Sequence, residues 1–174
     1  MKIINHKGFT LIEILVSLTI IAIIGVVIVQ TFLTTVRANT KAEVMREIKQ
    51  NGDIAMSVIT KRILAANTVI TPIGTSDSLT ITDSEGVNEY TYQAEEIDGL
   101  CRISEITGVD HVAMISKSVT VHNCDMDFVV NDNGDGVANR ITVSFRLLQA
   151  NSSEDVIDKA TMRFQTTTVM RNVE

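Results

Sequence analysis

The sequence predicts an α+β fold in which one long N-terminal helix packs on an antiparallel β-sheet. Three observations carry that expectation. Ile14 to Val29 runs sixteen residues without a charge. From Met45 to Ala66, apolar residues then recur at three- and four-residue steps. From Ser78 onward the hydrophobic period becomes two, the repeat of half-buried strands. Runs of strands after a helix imply segregated layers around one core. Composition agrees, since 45% hydrophobic residues, 21% charged residues and a single proline exclude a disordered or linker-rich chain. A net charge of −6, 4% aromatics and no tryptophan leave a nucleic-acid interface without its basic footprint or its stacking platforms.

At the N-terminus, Lys2 and Lys7 precede the apolar run. Between Leu11 and Leu33 the one charge is Glu13. A helix of that extent, rising about 1.5 Å per residue, is long enough for a hydrocarbon core of roughly 30 Å. The basic residues place the first eight residues in the cytoplasm and the remainder outside, in a single-pass, N-in topology. A secretory signal peptide is the competing reading. It would need a shorter apolar core and a small-residue cleavage site, and Gln30-Thr31-Phe32-Leu33-Thr34 is a poor one. A plain anchor leaves Glu13 unexplained, because an unpaired carboxylate at the centre of a span costs roughly 2.5–3.5 kcal/mol even on the lenient scale. Such a residue calls for a partner.

The stretch Lys7-Gly8-Phe9-Thr10-Leu11-Ile12-Glu13 resembles the processing site of type IV prepilins and of the pseudopilins of type II secretion systems. The resemblance implies a membrane aspartyl peptidase, the prepilin peptidase, that cuts between Gly8 and Phe9. It also implies N-methylation of Phe9 and an assembly glutamate at Glu13. Residues 1–8 are then a cleaved basic leader, 9–66 a continuous helix with its membrane segment at about 11–33, and 67–174 a β-rich head. Glycine before the scissile bond allows an extended, close-fitting conformation in a protease cleft. The freed α-amine of Phe9 is a cation within reach of Glu13, its own or a neighbouring subunit's. A buried pair of this kind contributes more to register than to stability, since desolvation offsets much of the Coulomb gain. Losing Lys2 and Lys7 leaves 13 basic against 21 acidic residues, a net of −8.

Past the span, Met45, Ile48, Gly52, Ala55, Ile59, Ile63 and Ala66 form one apolar stripe, with Arg46, Lys49, Asp53, Lys61 and Arg62 on other faces. Gly52 lowers helix propensity by about 1 kcal/mol relative to alanine, so its place on the stripe predicts close packing against the sheet. Asn67-Thr68, Pro72 and Gly74 end the helix. The expected strands are Leu79–Thr82, Asn88–Gln93, Leu100–Ser104, Val119–Val130, Arg140–Leu148 and Ala160–Met170, with turns at 83–86 and 132–136. Along Val119–Val130 the parity slips, and a bulge near His122-Asn123 would reconcile its two halves. The closing Thr167-Thr168-Val169-Met170-Arg171-Asn172 is similar to the ends of minor pilins and larger minor pseudopilins. Major pilins often carry a proline midway along the apolar helix. None occurs here, which favours a minor role.

Cys101 and Cys124, the two cysteines, lie in the part of the chain placed outside the cytoplasm, where an even count favours a disulfide. Both fall on inferred inward faces, Cys101 with Ile103 and Cys124 with Met126. Asn131, Asn133 and Asp135 partly match the start of a calcium loop, and some pseudopilins bind calcium between strands. The twelfth position is Thr142 rather than a bidentate glutamate, so a polar hairpin turn is the simpler reading and no cofactor is expected. No nucleophile elbow, phosphate-cradling loop or zinc-protease helix is present, His111 falls in a surface connection, and Glu95-Glu96 reads as solvated charge beside a turn. The sequence therefore points to a non-enzymatic structural subunit of a pilus or pseudopilus. Its implied partners are the prepilin peptidase, other pilin or pseudopilin subunits, the inner-membrane assembly platform and membrane lipid, with no nucleic acid. A major pilin is the alternative within that class. A membrane-tethered adhesin or DNA-uptake receptor that never polymerises is the alternative outside it.

Overall fold

The computed structural model describes residues 8–132, 138–150 and 160–170. The helix α1 runs Leu11–Ala65, and eight strands follow: β1 Gly74–Ser76, β2 Ser78–Thr82, β3 Glu89–Ile97, β4 Leu100–Thr107, β5 Asp110–Ala113, β6 Val119–Asp132, β7 Ala138–Gln149 and β8 Thr161–Val169. The chain divides into two compact units, Met1–Ala42 and Glu43–Glu174, with α1 contributing to both.

The second unit is an α+β domain with all strand pairs antiparallel. In place of the one sheet expected, the strands form two, ordered β2-β3-β4-β5 and β1-β6-β7-β8. Period-two patterning says which face of a strand is buried but not which strand lies beside it, so this division was invisible in the pattern. The helix packs through the expected stripe: Ile48, Gly52, Ala55, Ile59 and Ile63 are buried, and Met45 is half-buried. Opposite them lie Leu79, Tyr92 and Ile103 from the first sheet and Phe128, Val143, Phe145 and Leu147 from the second. Gly52 sits under the ring of Phe164, where an added Cβ would come within 2.1 Å of the Cζ. Phe164 in turn stacks on Phe145, its direct cross-strand neighbour, with ring centroids 5.4 Å apart.

Polar contacts pin the helix at several points. The Arg62 guanidinium lies 4.3 Å from the centroid of the Tyr90 ring and 3.6 Å from Glu105. The buried Tyr92 hydroxyl donates to Glu105 at 2.6 Å. Burial first, and that carboxylate second, push the Tyr92 phenol above its ordinary pKa. On the preceding turns, Asn51 Oδ1 accepts from the Ser116 amide at 2.8 Å, and Ser118 donates to Glu47.

Two short strands escaped the sequence pattern. β1 is three residues of glycine, threonine and serine, and β5 is an exposed edge strand, Asp110-His111-Val112-Ala113. Consequently His111 is not in a connection. It pairs with Ile106 in register, and its Nδ1 lies 3.0 Å from Glu95, which belongs to β3 and is half-buried rather than solvated beside a turn.

The parity slip in β6 is a real irregularity. Its register against β7 jumps between Val121 and Met126, and Asn123 and Cys124 adopt φ of 56° and 53°. Cys124 therefore lies in the bulge and is half-buried, not on the inward face with Met126. From there it bonds to Cys101 on β4, with Cα atoms 5.1 Å apart. Beside the disulfide, the Cys101 amide donates to Thr120 Oγ1 at 3.1 Å and the Thr120 hydroxyl donates to Cys101 O at 3.0 Å. Together they clip one sheet to the other.

Candidate functional site

The residues singled out at the N-terminus gather around the start of α1. Gly8 and Phe9 precede the helix, and both are exposed. A Cβ built on Gly8 meets nothing within 4 Å, and Phe9 is 80% exposed, so among the described residues the peptide bond between them is open. Helix formation begins immediately after, at Leu11, for a local reason. Thr10 stands at the N-cap and Glu13 three residues on, the threonine-x-x-glutamate spacing of a capping box before an apolar run. The Thr10 hydroxyl accepts from the Glu13 amide at 3.4 Å, and the Thr10 carbonyl accepts from the amides of Glu13 and Ile14 at 3.1 and 3.2 Å. The threonine-x-x-glutamate spacing carries this cap in the sequence itself.

The cap sharpens what Glu13 requires. A carboxylate in the first turn gains typically 0.3–1 kcal/mol from the helix macrodipole at an exposed site. Desolvation at membrane depth opposes it with up to about 2.5–3.5 kcal/mol. The helix alone therefore does not compensate the charge, and no cation lies against Glu13 among the described residues. Phe9 stands just before the N-cap, four positions ahead of Glu13 in the chain.

Beyond this point the hydroxyls of the span bond back onto the helix backbone. Ser17 donates to Glu13 O at 2.7 Å, Thr31 to Val27 O at 2.8 Å, Thr34 to Gln30 O at 2.9 Å and Thr35 to Thr31 O at 2.8 Å. These back-bonded hydroxyls have their donors satisfied, as hydrocarbon surroundings require, whereas the Gln30 side-chain amide finds no partner among the described residues. The large apolar side chains from Leu11 to Val36 are all exposed, and α1 is long and apolar enough to cross a membrane. An apolar surface of that extent needs lipid or other helices around it.

The remaining candidates divide. Cys101 and Cys124 are brought together as a disulfide. Asn131 stands in β6 opposite Arg140, whereas Asn133 and Asp135 lie outside the described residues. No group of three or more His, Cys, Asp or Glu side chains able to hold a metal converges among the described residues.

Comparison with known families identifies the N-terminal segment. The prokaryotic N-terminal methylation motif matches residues 4–29. That motif is a hallmark of type IV pilins and pseudopilins, a structural and not an enzymatic class, and it implies processing by a prepilin peptidase and assembly with other pilin subunits. No curated protein and no solved structure gives a significant match to the chain.

Proposed function

We propose that this chain is a minor pilin or minor pseudopilin that helps to initiate assembly of an envelope-spanning filament. The methylation motif supports a pilin or pseudopilin subunit. The observation that carries the reading is the sequence of features at the helix start: an open Gly8–Phe9 bond, a capped helix, and one carboxylate a turn inside an apolar surface. In this account the peptidase removes residues 1–8, Phe9 becomes the N-methylated terminus, and its cationic amine pairs with Glu13 of an adjacent subunit. Because the span is otherwise uncharged, that pair is what sets the axial register of packed helices. The Cys101–Cys124 bond fits a head held outside the cytoplasm, where disulfides persist. The uninterrupted helix from Leu11 to Ala65 favours a minor over a major subunit on the resemblance described above.

Intact mass of the protein, from cells with and without the peptidase, tests the processing step. The expected mature chain begins at Phe9 only when the peptidase is present, and a chain still beginning at Met1 in its presence would overturn the assignment. Gly8→Val is expected to block cleavage, because Gly8 is open in the free chain and the added branch meets the protease cleft rather than the protein itself. Counting copies per filament then separates a minor from a major subunit. Failure to co-purify with any pilin-like subunit would leave only a tethered binding module.

A further inference from the structure

On the side of α1 turned away from the core, Ile54 and Val58 are 51% and 36% exposed, while Ala55 and Ile59 beside them are fully buried. These two residues floor a shallow groove whose rims are Arg46, Lys49 and Lys61, with Asp53 as its one acid. The rest of the domain has the opposite charge. Residues 67–174 hold seventeen acidic against seven basic residues.

A feature complementary to this groove stands on the β2–β3 turn. Val87 is 74% exposed at its tip, and Glu85 and Glu89 flank it, both exposed. The turn is pre-organised by Asp83, whose Oδ1 accepts from the amides of Glu85 and Val87 at 3.1 and 2.9 Å and whose Oδ2 accepts from the Asn88 side chain at 2.6 Å. An apolar knob between two carboxylates thus matches an apolar floor between three cations.

The knob cannot fill the groove of its own chain. The Asn67 amide donates to Thr82 O and Asp83 O, both at 3.3 Å, which ties the turn to the chain just beyond the helix end. Ile54 and Val58 lie nine to thirteen residues earlier, about 13–20 Å back along the axis. The geometry points to a contact between two copies of this chain, staggered along the helix, in which the Glu85–Val87–Glu89 turn of one docks on the Arg46–Lys61 groove of the next. Such a contact joins different surfaces of the two copies, so it propagates in one direction instead of closing. It rests on the reading of the chain as a filament subunit, and it requires that copies stand side by side, as in a short initiating run.

The test is thiol crosslinking in membranes of cells that express two full-length versions, one with Val58→Cys and one with Val87→Cys, using a bismaleimide that spares the existing disulfide. In parallel, wild-type chain carrying one affinity tag is tested for co-purification with wild-type chain carrying another. The expected result is a dimer band that appears only when both versions are present. Lys49→Glu with Lys61→Glu in the groove partner is expected to lower its yield about tenfold through like-charge contact, and Glu85→Lys with Glu89→Lys in the other partner to restore it. Absence of the Val58–Val87 band while the two tagged copies co-purify would overturn this interface and leave the filament reading standing. Loss of both signals would overturn the interface and the side-by-side copies it requires, and loss of every co-purifying pilin-like subunit as well would overturn the filament reading with them. If Lys49→Glu with Lys61→Glu leaves the crosslink unchanged, these cations do not face the Glu85–Glu89 turn and the proposal fails.

Discussion

Replacing Gly52 by leucine is expected to destabilise the folded domain by roughly 2 kcal/mol, although leucine is the better helix former. Propensity alone would favour the substitution by about 0.8 kcal/mol. Against it stands the Phe164 ring, which fills the space the new side chain needs. That ring is nearly buried and stacked on Phe145, so neither aromatic can step aside without opening the centre of the β6-β7-β8 face. Forcing methylenes into such a site costs typically 1–3 kcal/mol, and the close approach here places it at the upper end. Phe164→Ala is expected to cost about 3–5 kcal/mol as a cavity, and in that background Gly52→Leu should become neutral or stabilising, because leucine then occupies vacated volume. Guanidinium titration of the detergent-solubilised chain and its single and double variants measures both terms. A Gly52→Leu midpoint equal to that of the wild type would show that helix and sheet are not in register at this point.

Cys124→Ser should have an effect of similar size by a different route. The bond to Cys101 closes a loop with a sequence separation of 23 residues. In the loop-entropy account this restriction of the unfolded chain stabilises the fold by about 3 kcal/mol. It also anchors Cys124 at a φ of 53°, a left-handed conformation uncommon for a residue of its type. Losing it should leave the Thr120 clip as the nearest tie between the sheets, so the domain is expected to fold but to melt earlier. Denaturant midpoints with and without reductant measure this directly. A wild-type domain insensitive to reduction, with the thiols shown to be free, would contradict it.

How much of this was legible depended on whether a residue's role is local. The apolar span, the amphipathic stripe from Met45 to Ala66 and the bulge in β6 all follow from periodicity, and periodicity is a property of neighbours in the chain. Gly52 could be read as a point of close approach, but its partner Phe164 could not, because nothing in a pattern specifies which ring crosses which helix. The same limit hid the division into two sheets and the fact that the disulfide joins them. β5 is hidden for another reason: four residues with a charge, a histidine and two small apolar groups along an edge carry no burial pattern. The Glu95–His111 pair was lost with it. At the helix start the position was reversed, since the whole of the Gly8-Phe9-Thr10-Glu13 arrangement is contiguous. There the structure added the cap, whose signal was already present in the threonine-x-x-glutamate spacing.

The central claim is that Glu13 serves assembly and not anchoring. The measurement that bears on it most directly is crosslinking of Glu13→Ala protein to its neighbouring pilin subunits in membranes, beside the wild type. As a tolerated anchor residue, Glu13 would only burden the span, and alanine would improve membrane retention by removing a cost of up to about 2.5–3.5 kcal/mol while changing nothing else. As the partner of the Phe9 amine on an adjacent subunit, it leaves an uncompensated cation behind when removed. The account predicts normal cleavage and a normally folded head, with crosslinking to other subunits largely lost. Crosslinking at the wild-type level, with normal filament or secretion output, would contradict it.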